Sequence, residues 1–345
     1  MKGLAKLRSG PGHLEIAERP EPVAGHDQVV IDVLGVGICG TDLHIALGEY
    51  ETVPPVTIGH EVCGVVRELG HDVDPAWSDA RVVLETYAST CERCQMCRSG
   101  HRNMCSQRRS FGTHVDGGAA PRMAVPARNL HRVPPFVSDA AATLSEPLAC
   151  VCHSLLDPQV ISAGDDVLVV GPGAMGLLAA QVARVCGANV TVRGTRSDEL
   201  RLALASELGF DVETAEDAIV TPEAGGDGRF DVAIDCSGSG AGVTDALASL
   251  RRRGTLVQIG LSGADLTVPW DLICFRELRV LSGFASTSES WLRAMALLSA
   301  ERVACEPLIS AVMPLAAWKK AFDASRSRHG VKYVLDPRTS ACSVS

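Results

Sequence analysis

Two short stretches carry the residue types of a reactive metal centre. One is Cys39-Gly40-Thr41-Asp42-Leu43-His44 and the other is Gly59-His60-Glu61. A thiol, an imidazole and a carboxylate brought together make a mixed-ligand zinc site. Three protein ligands leave the fourth position of a tetrahedral ion open to water or a substrate oxygen, which separates a catalytic zinc from a structural one. Cys39, His60 and Glu61 are the first candidate ligands.

A second cluster has a more specific spacing. Cys91, Cys94, Cys97 and Cys105 follow the pattern Cys-x2-Cys-x2-Cys-x7-Cys. Four thiolates on one short loop surround a tetrahedral ion completely, so this spacing predicts a structural zinc. The metal would hold together a loop with almost no apolar residues of its own. An iron–sulfur cluster also takes four thiolates, but the polar surroundings favour zinc.

The third motif is Gly171-Pro172-Gly173-Ala174-Met175-Gly176, placed after the apolar run 167–170 and before an apolar helical stretch over 177–186. In that context G-x-G-x-x-G reads as a dinucleotide fingerprint. Its glycines permit the turn and let the backbone approach a pyrophosphate, and the helix N-terminus supplies partial positive charge. A chain that binds NAD carries an Asp or Glu about 20 residues further on, for the ribose 2′-hydroxyl. This one reads Val192-Arg193-Gly194-Thr195-Arg196-Ser197. Thr195, Arg196 and Ser197 could hold a 2′-phosphate, which favours NADP over NAD. The alternative leaves Arg196 in solvent and turns Asp198 toward the ribose.

These motifs need two kinds of scaffold. Residues 28–33, 61–69 and 81–85 are Val- and Ile-rich runs between Gly, Pro and Asp clusters, which predicts a β-rich first half, a small barrel with long loops. Helical patterning begins around 140–156. Beyond residue 166, apolar strands (167–170, 189–193, 231–235, 255–260 and 279–282) alternate with helices (177–186 and 198–208), the pattern of a doubly wound parallel sheet. A helix over 315–324 and a strand over 331–335 are expected to return to the first domain. The expected domains are 1–147, 148–295 and the returning segment 296–345.

At 345 residues the chain is long enough for about two domains. A net charge of -9 argues against nucleic acid or anionic membrane as partners. No apolar stretch has the form of a signal peptide or a membrane span. Thirteen cysteines in a chain of this size suit metal binding and buried thiols in a reducing cytoplasm better than disulfides.

Together with Asp116-Gly117-Gly118, these motifs occur in one order that resembles the zinc-dependent medium-chain alcohol dehydrogenases over essentially the whole chain. The resemblance implies a GroES-like β-barrel catalytic domain, a Rossmann domain, and a cleft holding zinc and nicotinamide. The His60-Glu61 pair with Glu146-Pro147-Leu148 is similar to the polyol (sorbitol/iditol) and threonine dehydrogenase branch. Simple alcohol dehydrogenases usually carry a cysteine where this chain has Glu146.

By resemblance, Cys39 and His60 are zinc ligands, and Glu61 and Glu146 are the two candidate carboxylate ligands. Asp42 matches the acid that orients the histidine ligand, Thr41 the hydroxyl that takes the substrate proton, and His44 the relay to solvent. Each has a plainer counterpart: a surface histidine for His44, a turn hydroxyl for Thr41, a helix-start carboxylate for Glu146. Glu92 and Arg93 fill a gap where relatives commonly carry glycine, which leaves the cysteine spacing intact. The implied activity is reversible oxidation of a secondary alcohol (a polyol, cyclitol or amino alcohol) with NADP or NAD, in a homodimer or homotetramer. The nearest alternative is a threonine or simple-alcohol dehydrogenase of the same family; the more distant rivals are a zinc-independent enone reductase and a non-enzymatic cofactor-binding protein.

Overall fold

The β-rich half and the alternating half form separate compact units in a computed structural model that describes residues 1–217 and 227–338. Unit 1 comprises Met1–Glu146 with Cys305–Ser345, and unit 2 comprises Pro147–Ala304. The chain re-enters unit 1 at Cys305, later than the expected 296, because the helix Ser288–Ser299 buries Trp291, Ala294, Met295 and Leu298 within unit 2.

Unit 1 begins with β1 (Lys2–Lys6), β2 (Leu14–Glu18), β3 (Gln28–Gly37), α1 (Gly40–Leu47), β4 (Val56–Thr57), β5 (Glu61–Leu69) and β6 (Arg81–Leu84). The cysteine-rich loop runs through β7 (Tyr87–Ser89), α2 (Gln95–Arg98) and β8 (Arg109–Ser110). Then come β9 (Arg122–Pro126), β10 (Leu130–Arg132), α3 (Asp139–Ala142) and α4 (Ser145–Leu156). Unit 2 holds β11 (Asp166–Val170), α5 (Ala174–Val185), β12 (Asn189–Gly194), α6 (Glu199–Glu207), β13 (Asp211–Thr214) and β14 (Phe230–Asp235). It continues with α7 (Gly240–Ser249), β15 (Leu250–Gln258), α8 (Asp271–Phe275), β16 (Arg279–Ser282) and α9 (Ser288–Ser299). The return to unit 1 adds β17 (Ile309–Pro314), α10 (Trp318–Arg326) and β18 (Lys332–Asp336).

In unit 1 the main sheet runs β10-β6-β5-β3-β18-β17, with β9 also pairing β3. Val29, Ile31, Val33, Val62, Val66, Val82 and Leu84 point into one apolar core, as alternation in half-buried strands requires. β3 and β5 are antiparallel, and their register sets Gly37 opposite Glu61. β18 comes from the far end of the chain and pairs with β3 through Val334↔Gly37.

In unit 2 the sheet is β13-β12-β11-β14-β15-β16, and every pair is parallel. That is the strand order 3-2-1-4-5-6 of a Rossmann fold, with its topological switch between β11 and β14. Val167, Leu168 and Val169 of β11 have no exposed surface, which accounts for its unbroken apolar run. Among the described residues no helix is long and apolar enough to cross a membrane.

Candidate metal centre and dinucleotide site

β3 delivers the chain to Cys39, whose extended backbone (φ -94°, ψ 157°) starts α1. The Cys39 N–H donates to Asp42 Oδ2 at 2.9 Å, so Asp42 secures the first turn that carries the thiol. Thr41 Oγ1 lies 3.7 Å from Cys39 Sγ. His44, three residues on, shares the Thr41 face of the helix. Its Nδ1 sits 2.7 Å from Glu49 Oε2, a contact that holds the ring at the solvent-facing end of α1.

His60, immediately before β5, and Glu61, its first residue, are the other candidate ligands. A sulfur of Cys39, a ring nitrogen of His60 and a carboxylate oxygen of Glu61 all lie within 4.8 Å of one another. Gly37 makes the room: a Cβ there would stand 2.1 Å from Glu61 Oε2. Glu146, at the first turn of α4, is buried but stands outside this group of three.

Lys332 is the residue that sequence reasoning missed. Its ammonium donates to Glu61 Oε1 at 2.8 Å, to Glu61 Oε2 at 2.7 Å and to the Ile38 carbonyl at 3.0 Å. Side-chain exposure is 5% for Lys332 and 1% for Glu61, so the pair is out of water. A carboxylate has about four lone-pair positions. Lys332 therefore fixes the Glu61 carboxylate while leaving each oxygen able to accept again.

The field in this pocket favours cations. Burial disfavours the His60 imidazolium, yet the Cys39 sulfur, Asp42 and Glu146 more than offset it and hold His60 well above an ordinary histidine. Burial likewise opposes the Lys332 ammonium, and Glu61, Cys39 and Glu146 outweigh it. Burial pushes the Asp42 carboxyl up while His60 pulls it back, and Asp42 Oδ1 is a buried oxygen without a hydrogen-bond partner among the described residues. A thiol, an imidazole and a fixed carboxylate in such a field are a donor set that fits zinc.

The four cysteines of the loop also converge, with their sulfurs within 4.8 Å of one another. Backbone N–H groups of Cys91, Cys94 and Cys97 point at the sulfurs of Cys105, Cys91 and Cys94 at 3.4, 3.3 and 3.4 Å. The Arg93 and Cys94 N–H groups pull the Cys91 thiol down to about 6, in the range of a thiolate at neutral pH. Glu92 has φ +56°, the left-handed region, which explains why a glycine suits that gap. Its carboxylate accepts from Thr90 at 2.7 Å and Arg102 at 2.5 Å, tying the loop across.

In unit 2, Gly173 caps α5, and the turn from β11 closes so tightly that a Cβ on Gly176 would stand 2.0 Å from the Gly171 carbonyl oxygen. Ala174 and Met175 form the first turn of that helix, where unpaired N–H groups can meet a phosphate. After β12, Thr195 opens a short turn, its Oγ1 2.7 Å from Ser197 Oγ. Asp198 accepts from the Thr195 N–H at 3.1 Å and from Thr195 Oγ1 at 2.8 Å. It is therefore a buried cap for its own turn. Arg196 is exposed and pairs with Asp217 at 2.8 Å, while its N–H faces Glu216. Asp235, fully buried at the end of β14, also went unnoticed in the sequence. It accepts from Ser237, Gly238 and Gln258 and so shapes the loop that lies against Gly171.

Comparison with known proteins agrees with both units. Residues 25–135 match the alcohol dehydrogenase GroES-like domain family, and residues 174–300 match the zinc-binding dehydrogenase family. The chain is 36% identical to a sorbitol dehydrogenase of Halalkalibacterium halodurans over 98% of this chain and 99% of that protein. It is 31% identical to a D-arabitol-phosphate dehydrogenase of Enterococcus avium, with 97% of each covered. A solved zinc-binding dehydrogenase from Sinorhizobium meliloti 1021, bound to NADP, superposes with a TM-score of 0.87 at 31% identity, covering 97% of this chain and 99% of that one. The chain belongs to the zinc-dependent medium-chain alcohol dehydrogenases, in the polyol and threonine dehydrogenase branch, oxidoreductases acting on CH–OH donors.

Proposed function

We propose that this protein interconverts a secondary alcohol of the polyol, cyclitol or amino-alcohol class and its ketone, with NADP preferred over NAD. The observation that carries the reading is the convergence of Cys39, His60 and Glu61, with Glu61 fixed by buried Lys332. Cys39, His60 and Glu61 would hold a catalytic zinc, and Cys91, Cys94, Cys97 and Cys105 a structural one. When bound, the first supplies a Lewis acid that acidifies a hydroxyl, and the nicotinamide accepts hydride. Thr41, beside Cys39, takes the hydroxyl proton and passes it along its helix face to His44, which Glu49 holds toward solvent. Glu146 contributes negative charge at His60 and is the carboxylate available for exchange onto the metal.

Gly171, Gly173, Ala174, Met175 and Gly176 would cradle the pyrophosphate. With Asp198 committed to its own turn, Thr195, Arg196 and Ser197 are the groups left for a 2′-phosphate. We also infer a homodimer or homotetramer built on the unit 2 sheet. β16 is one of its two edge strands, with Val280 and Leu281 exposed. A cytoplasmic setting would keep the metal-binding thiols reduced.

The direct test is a panel of polyols, cyclitols and amino alcohols assayed with NADP and with NAD. The reading expects the highest kcat/KM with a secondary alcohol that has a neighbouring polar group, and a preference for NADP. Undiminished turnover in a folded, metal-free preparation would contradict the zinc assignment.

A further inference from the structure

At the opposite end of the β3–β5 pair from Gly37 and Glu61, two loops bring His26, His71 and Asp72 together, with one ligand atom from each within 4.8 Å of the others. These loops are not independent of each other. The Asp27 N–H donates to the His71 carbonyl at 3.1 Å, and the Gly70 N–H to the Gln28 carbonyl at 2.8 Å. The strands they flank are in register at Val29↔Leu69. The two imidazoles are thus carried on backbone that the sheet already holds, and their rings stack with centroids 5.8 Å apart.

The side chains are arranged as a chelate. Asp72 lies between the histidines, with Oδ2 2.9 Å from His26 Nε2 and Oδ1 3.0 Å from His71 Nδ1. The other nitrogen of His26, Nδ1, is 2.9 Å from Asp27 Oδ2. A carboxylate on the far nitrogen fixes the tautomer and directs Nε2 outward as a ligand, the usual support of a metal-bound histidine. Two imidazole nitrogens and one carboxylate oxygen suit Zn²⁺ and related borderline ions rather than Mg²⁺ or Ca²⁺. Tetrahedral zinc with bonds of 2.0–2.1 Å sets its ligand atoms about 3.3 Å apart. The three ligand atoms already lie within 4.8 Å of one another, on exposed side chains.

We propose that His26, His71 and Asp72 form a surface binding site for a divalent zinc ion, separate from the Cys39 and Cys91 clusters, with Asp27 positioning His26. Zinc would replace the two imidazole protons that face Asp72, and water would complete its coordination. Bound there, it clamps the far end of the strand pair that carries the catalytic ligands.

The test is zinc stoichiometry in the intact protein, dialysed to constant metal content and then titrated with ZnCl2 by calorimetry. The wild type should bind one more Zn²⁺ per chain than His71→Ala or His26→Ala, and its Tm should rise with added zinc where theirs does not. Asp27→Asn should keep the site and weaken it by about 10-fold. All three positions are exposed, and the thermal scan shows whether each variant folds. Equal stoichiometry in wild type and both histidine variants overturns the proposal, as does a wild type that takes up no zinc beyond its dialysed content.

Discussion

Lys332→Met removes the only ammonium on Glu61 among the described residues and leaves a carboxylate that is 1% exposed beside the Cys39 sulfur. Breaking a buried ion pair from one side costs about 3–5 kcal/mol, because the remaining charge is neither solvated nor paired. For a unit of this size each kcal/mol lowers Tm by about 2–4 °C, so the metal-free variant should melt roughly 6–20 °C below wild type. The loss should be smaller with zinc bound, since the cation takes over part of the role of the ammonium. Lys332→Met/Glu61→Gln should recover most of the stability, giving a coupling energy comparable with the single loss.

The pH dependence has a definite sign. Lys332 titrates above its ordinary 10.5 in the folded chain, so its contribution is complete below that pH and is lost as pH rises through the folded value. The part of the gap between wild type and variant that Lys332 supplies should therefore be flat through neutral pH and be lost in strong alkali. Calorimetric scans of the three proteins, with and without chelator, measure all of this. A metal-free Lys332→Met protein melting within about 1 °C of wild type, or a double variant with no recovery, would refute the reasoning.

Two further outcomes follow from close contacts at the two sites. Gly37→Ala places a methyl group where Glu61 Oε2 now lies, and Lys332 prevents that carboxylate from swinging away. Zinc retention and kcat should fall together by at least about 10-fold, the order expected when a metal's supporting shell is disturbed. On the proposed NADP preference, Arg196→Ala would remove a charge-assisted contact to the 2′-phosphate worth about 1.5–3 kcal/mol. The KM for NADP should rise by roughly 10- to 100-fold while that for NAD stays near its wild-type value, which steady-state kinetics with both cofactors would show.

The convergence of Cys39, His60 and Glu61 was legible because each motif is local. Cys39 caps the helix that carries Thr41, Asp42 and His44, and His60-Glu61 opens a strand whose register with β3 follows from ordinary alternation. The parallel sheet was legible for the same reason, from buried apolar strands alternating with helices. Lys332 was not, because 271 residues separate it from Glu61 and no motif links them. Its one sequence signal is a lysine at the head of the otherwise apolar run Lys332-Tyr333-Val334-Leu335.

Asp198 was readable in principle. Thr195-x-x-Asp198 is a capping pattern, and in the structure that carboxylate caps its own turn, whereas the alternative reading turns it to the ribose. The same alternative places Arg196 at the surface, and there the structure agrees with it, adding Asp217 as partner. His26 and His71 look like isolated surface histidines until β3 and β5 pair. Only the sheet register brings their loops together.

The central claim is that one zinc at Cys39 and His60 does chemistry and another at the cysteine loop does not. Metal content after exhaustive dialysis, measured beside alcohol oxidation in the same preparations, tests it most directly. Wild type should retain two zinc ions per chain. His60→Ala should retain one, keep its Tm within a few degrees and lose turnover. Cys94→Ser should also lose one, but with a clear drop in Tm and with residual turnover in the fraction that stays folded. A His60→Ala protein that keeps both ions and oxidises alcohol at the wild-type rate would contradict the account.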